Sequence, residues 1–196
     1  MSKKSDIAKF VSNKIRLLQA MSETGNGKAE LAELRKGVGK VPGEFPVLYG
    51  VILEDMPEDF FSNNGVPTKE EWACYVALTL FAWHQQGNDL KTDCMHTDEK
   101  VSLGTALRRL KNVSEDSNAE ERILKKMQAV ITATEIKGVE QHIRSLTRIF
   151  SNNRIKLNYA LLAADLYEWQ FLESRNIVGL RWGQDFYRIS KEEEKK

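Results

Sequence analysis

The 196 residues contain only two cysteines, four prolines and three histidines, few of the residue types that build staples, linkers and metal cages. Cys74 and Cys94, with His84, His96 and His142, are too few for a disulfide framework or a Cys-rich zinc site, so the compartment reads as reducing and cytoplasmic. Twelve glycines beside four prolines argue against a linker-dominated or disordered chain. Neither sign of charge dominates: 29 Lys and Arg face 28 Asp and Glu, and a formal net charge of +1 does not advertise a polyanion partner. Long apolar runs are missing as well. The longest mostly apolar stretch, 72–83, falls well short of the roughly 20 residues a membrane helix needs. The basic start is followed by Asp6, Lys9, Asn13, Lys14 and Arg16, so no apolar signal segment is expected and the chain reads as not secreted.

What is present is local. Residues 1–50 carry nine basic and five acidic side chains, 51–100 three and ten, 101–150 nine and six, and 151–196 eight and seven, so the surface is expected to differ strongly in potential from place to place. Apolar residues recur at spacings of three and four, which predicts an all-α protein of eight or nine helices. Expected helices cover 5–21, 28–36, 45–53, 69–86, 102–111, 118–133, 135–150, 159–172 and 178–189. Gly25-Asn-Gly27 is expected to end the first, and the acidic, turn-rich stretch 54–67 to form a surface loop. Thr68 and Glu71 form a capping box ahead of a helix that is apolar around most of its circumference, expected to be the most buried of the first half. Asn118 with Glu121 repeats this logic more weakly, and Asn158 can cap the helix after it. The polar stretch 113–118 is the best candidate for a hinge between two small helical bundles, 1–114 and 115–196, and 191–196 reads as a solvated tail.

Chemistry finds little to stand on. Gly37-Val-Gly39-Lys40 superficially resembles a phosphate loop, but Leu34 and Val41 occupy the positions where that motif needs Gly and Ser or Thr. Cys94 and His96 with Asp93 and Asp98 lack the second ligand pair of a structural zinc site. His84 has no nameable nucleophile or orienting acid, and reads as a packed or hydrogen-bonded histidine. Asp165 and Asp185 could do acid and base work, but pairing each with an arginine such as Arg181 or Arg188, or capping a helix, is the plainer reading. No enzyme, cofactor or metal is expected.

The basic residues make a better case. Arg35-Lys36 and Lys40 end one helix, Arg108-Arg109 and Lys111 another; Arg122, Lys125 and Lys126 follow. Arg144 and Arg148 are four apart, and Arg154 and Lys156 flank a turn. Such clusters can track phosphates, although charges at spacing four often form only a solvated face. Few aromatics interleave with them, so a nucleic acid would be gripped by its backbone rather than read by its bases.

Four segments carry a resemblance: 72–86 from Trp72 through His84, 102–110 with Gly104 and Arg108-Arg109, 157–170 with Asp165 and Trp169, and 181–187 with Arg181-Trp182. In this order and spacing, over about residues 65–190, they resemble the small subunit of the type I-E CRISPR Cascade complex, the CasB family. The first 65 residues match more loosely. The resemblance implies two helical bundles, no catalysis, and two adjacent copies in a ribonucleoprotein beside other Cascade subunits. It also implies contact with crRNA and target DNA, helping to hold the displaced strand of the R-loop, and no membrane. Since opening a duplex against a guide is nearly balanced, modest backbone contacts suffice to tip it. The residues assigned to that groove, from charge and adjacency to the motifs, are Arg35, Lys36, Arg108, Arg109, Arg122, Arg144 and Arg148, with Arg154 and Lys156 beside them. The competing expectation is a helical adaptor that binds protein alone.

Overall fold

The structure, a computed structural model, describes residues 2–23, 25–114 and 118–188. Among these are nine α-helices: α1 (Lys3–Ala20), α2 (Gly25–Lys36), α3 (Tyr49–Ile52), α4 (Lys69–His84), α5 (Leu103–Val113), α6 (Ala119–Ile131), α7 (Ile136–Asn152), α8 (Tyr159–Trp169) and α9 (Leu172–Tyr187). No strand occurs among the described residues, only a single bridge between His96 and Leu157. The expected hinge at 113–118 overlaps residues 115–117, which lie outside the described residues, as do Ile189 and the expected tail at 191–196.

Helix α4 is the centre. Thr68 Oγ1 accepts from the Glu71 amide at 3.0 Å while Glu71 Oε2 accepts from the Thr68 amide at 2.7 Å, so the capping box is formed in full. Every residue from Ala73 to Ala82 is buried, because α4 is wrapped by α1, α2, α7 and α8. Helix α1 lays Ile7, Phe10, Val11, Ile15 and Leu18 against the same core and packs on α8, while α5 packs on α9. One cluster of buried side chains runs from Ile7 to Phe186, and helices from both sides of residue 114 meet in it.

Two differences from the expected elements have a clear cause. Gly25-Asn-Gly27 opens α2 rather than closing α1, which already ends in a short 3-10 turn, Met21–Glu23. A Cβ on Gly27 would lie 2.5 Å from the Met21 carbonyl oxygen, so this glycine permits a close approach of two backbones, not a stop. Helix α9 begins at Leu172, not 178, and α8 ends at Trp169, because the chain turns at Gln170-Phe171, where Phe171 is extended. The expected helix at 45–53 is split into a 3-10 turn, Pro46–Leu48, and the short α3, with Pro46 placed at the start, where a missing amide is tolerated. Asn158 caps α8 by accepting from the Leu161 amide at 2.8 Å, whereas Asn118 makes no side-chain cap on α6.

Candidate nucleic-acid interface

The first basic group forms where the chain leaving α2 meets α7. The Gly39 amide donates to Glu140 Oε1 at 2.6 Å, across 101 residues of sequence, and this fixes the turn between Lys36, the last residue of α2, and Lys40 against the first half of α7. Gly39 has a φ of +82°, which other L residues rarely adopt, so the loop's turn depends on it. One helical turn beyond Glu140, the Arg144 guanidinium lies over the Trp83 ring, 4.2 Å from its centroid. Gly39, Lys137, Gln141 and Arg144 line a hollow of about 300 Å³. Lys137, Arg144 and Arg148 are spaced by seven and four along α7 and share one face; Arg148 is exposed and makes no ion pair with a described residue. The turn at Gly39, three residues after Lys36, is thus brought against Glu140 and Arg144 of α7. Arg35 itself is half-buried and lines a neighbouring hollow with Lys28 and Asn88. Lys36 pairs with Glu33 and Lys40 with Glu44, both exposed pairs at spacing three or four that salt screens easily.

Glu140 is the residue that sequence reasoning misses. Its carboxyl is almost fully buried, Oε2 has no partner, and burial pushes its pKa above the usual carboxylate value. Spacing alone shows Glu140 and Arg144 on one face, but nothing in the sequence joins Glu140 to Gly39. Trp83 likewise reads in the sequence only as part of an apolar helix, although it supplies the surface on which Arg144 rests.

The remaining candidates divide. Arg108 is half-buried and donates to the carbonyl oxygens of Asp185, at 3.0 Å, and Arg188, tying α5 to the end of α9. Arg109, next to it, is exposed and 3.3 Å from Glu99; Arg122 is exposed on α6. Arg154, with a φ of +53°, follows the end of α7 and approaches Asp93 at 4.0 Å, and Lys156 is half-buried two residues on.

The candidate catalytic side chains are engaged in packing. His84 Nδ1 is 2.9 Å from the Tyr159 hydroxyl, and burial lowers its pKa to about 4, leaving the ring neutral. His96 Nδ1 accepts from the Tyr159 amide at 3.1 Å. Asp165, buried, holds Arg181 at 2.6 Å and the Trp182 indole at 2.8 Å. Asp185 accepts from Ser102 Oγ at 2.6 Å and lies 3.6 Å from Arg188. Burial pushes both thiols, Cys74 and Cys94, above their ordinary pKa. Among the described residues, no three His, Cys, Asp or Glu side chains gather as metal ligands, and no helix is long and apolar enough to cross a membrane.

Residues 30–187 match the family model of the CRISPR-associated protein Cse2. The chain belongs to the Cse2 family. This is the CasB family that the four sequence segments resemble, and the match reaches back well into the region where that resemblance is loose. The crystal structure of CasB from Thermobifida fusca is similar at a TM-score of 0.74 and 29% identity, covering 93% of this chain and 98% of that one. A second crystal structure, of a CRISPR-associated Cse2 family protein from Thermus thermophilus, gives a TM-score of 0.65 at 18% identity, covering 90% of this chain and 97% of that one, and shares the fold. Among curated protein sequences, none matches. All nine basic candidates of this Cse2 chain fall within the matched span.

Proposed function

We propose that this Cse2 family chain is the non-catalytic small subunit of a type I-E CRISPR Cascade complex. In this role it contacts the guide RNA and target strand through their backbones and steadies the displaced strand of the R-loop, independently of sequence. Its partners are then the other Cascade subunits, crRNA, target DNA and an adjacent second copy, in the cytoplasm.

The observation that supports this reading is the junction at Gly39 and Glu140, where the turn before Lys40 meets the α7 helix that carries Arg144. Lys137, Arg144 and Arg148 offer guanidinium and ammonium groups at the spacing of one helical face, suited to phosphates and indifferent to bases. Arg154 and Lys156, which follow α7 in the chain, and Arg109 and Arg122, on α5 and α6, are assigned to the same backbone contacts by charge alone. Arg108 contributes by holding α9 in place.

The test is target retention. Cascade assembled with the Arg144→Ala/Arg148→Ala variant is expected to release R-loops about tenfold faster, which corresponds to about 1.4 kcal/mol, by similar factors on unrelated target sequences. Unchanged R-loop lifetimes would contradict the assignment, and loss confined to one target sequence would contradict backbone recognition.

A further inference from the structure

The cations of the α2–α7 junction stand around a buried carboxyl group. Glu140 is 1% exposed; its Oε1 accepts from the Gly39 amide at 2.6 Å, and its Oε2 has no partner. Lys137, three residues before it, and Arg144, four after it, share its side of α7, and all three line one hollow with Gly39. A buried carboxyl that has exchanged water for a single backbone donor is costly when charged. Burial accordingly raises its pKa, against the opposing pull of the Gly39 amide, Arg144 and Lys137.

The other titratable groups around it are already engaged or lie outside the hollow. On α4, the Tyr75 hydroxyl donates to the Gly37 carbonyl at 2.9 Å, and burial with the nearby Glu140 charge keeps it protonated. In the loop after Gly39, Lys40 pairs with Glu44 at 2.8 Å, and Lys137 also acts on Glu44. On α6, which packs against α7 as well, Glu120, Glu121, Arg122 and Lys125 are exposed, Lys126 is half-buried, and Lys125 pairs with Glu121. His142, two residues on from Glu140, is half-buried and does not line the hollow.

We propose that Glu140 is a positioning residue whose proton sets the strength of the strand-binding face: it holds the Gly39 turn against α7, and on taking up a proton from solvent it strengthens that face's grip on a phosphate backbone. The inference rests on the nucleic-acid reading of this face and adds a proton to it. Ionised, Glu140 subtracts one charge from a group whose pull on phosphate is electrostatic; neutral, it leaves Lys137 and Arg144 their full potential. The turn is not released when the charge is lost, because with the proton on Oε2 the carbonyl Oε1 still accepts from Gly39. The coupling is reciprocal. A phosphate beside the hollow disfavours the ionised carboxyl, so binding of a strand draws a proton onto it.

The test uses the full chain at low salt and a short fluorescent oligothymidylate, whose bases and phosphodiesters do not titrate between pH 8 and pH 5.5. The native chain is expected to bind about tenfold more tightly at the lower pH, the order of effect of one unit charge about a helical turn from the phosphate. Glu140→Gln keeps an acceptor for the Gly39 amide and has no charge to lose. It is expected to bind at pH 8 about as tightly as the native chain does at pH 5.5, with little further gain on acidification. His142→Gln is expected to keep the native gain. Calorimetry of His142→Gln in two buffers of different ionisation enthalpy is expected to show proton uptake on binding, a readout that does not require Glu140→Gln to fold. A native affinity indifferent to pH, a gain that survives in Glu140→Gln, a gain abolished by His142→Gln, or binding without proton uptake overturns the proposal. If Arg144→Ala/Arg148→Ala still weakens binding in those cases, the nucleic-acid reading stands without it. No binding of the oligothymidylate at any pH overturns both.

Discussion

At the scale of single residues, His84 is the side chain whose chemistry is changed most by the fold. Its ring is buried against Tyr159 and Phe150, and burial lowers its pKa to about 4 from an ordinary value near 6.5. A group whose folded pKa is lowered supports the fold above its unfolded pKa, and that support is lost as pH falls toward the folded value. Between pH 7 and pH 5 the chain is therefore expected to lose about 2 kcal/mol of stability through His84. His96, shifted the same way by burial, adds to the loss, while the raised carboxyl groups of Asp165 and Glu140 act in the opposite sense at lower pH. Urea unfolding at the two pH values measures the loss, and His84→Gln is expected to reduce it; an equal loss in that variant would assign it elsewhere. Residue identity was legible in the sequence here, because a histidine ending an apolar helix with no catalytic companion is a packing residue. The roles of the arginines were not. Arg108 and Arg144 look alike in sequence, each within a basic cluster on a helix, yet one is drawn under the end of α9 and the other lies on an indole. Arg108→Ala is expected to cost about 1–2 kcal/mol in unfolding, with little change in oligonucleotide affinity. A loss of affinity with stability unchanged would return Arg108 to the binding surface.

At the scale of elements, capping chemistry was readable because it is local. Thr68 with Glu71, and Asn158 before α8, satisfy backbone amides three residues away, and both caps form as their spacing predicts. What the sequence could not show is where one backbone comes up against another. Gly27 reads as a turn residue and Gly104 only as part of a motif segment, but both stand where a second segment approaches too closely for any Cβ. At Gly104 that atom would lie 1.9 Å from the Trp182 carbonyl oxygen, at the crossing of α5 and α9. Gly104→Ala is expected to destabilise the chain by about 3 kcal/mol through forced separation of the two helices, read as a shifted urea midpoint. A midpoint within error of the native one would mean the crossing has slack. The early start of α9 was hidden for a different reason: Leu172, Ile177 and Leu180 are apolar but exposed, so the pattern of the helix does not report its buried face.

At the scale of the whole molecule, a net charge of +1 conceals a strong division. Residues 42–71 hold a net charge of −6, which leaves +7 for the rest of the chain. The acidic stretch lines an apolar cleft, and the cations of the α2–α7 junction lie on a separate, polar hollow. Keeping the two signs apart preserves the local potential of each surface, since mixing them would cancel both. The quarter-by-quarter charge count already pointed to such a division. The pairing of residues 36–40 with α7 did not show in it, because a hydrogen bond from Gly39 to Glu140 depends on the packing of α2 and α7 around α4. The most direct test of the central claim is the salt dependence of single-stranded oligonucleotide binding by the full chain, compared with Arg144→Ala/Arg148→Ala. If the α7 face neutralises phosphates, the slope of log K against log salt becomes less steep in the variant by about 1.4, two contacts at about 0.7 each, and does so equally for unrelated sequences. An unchanged slope with undiminished affinity would contradict the account.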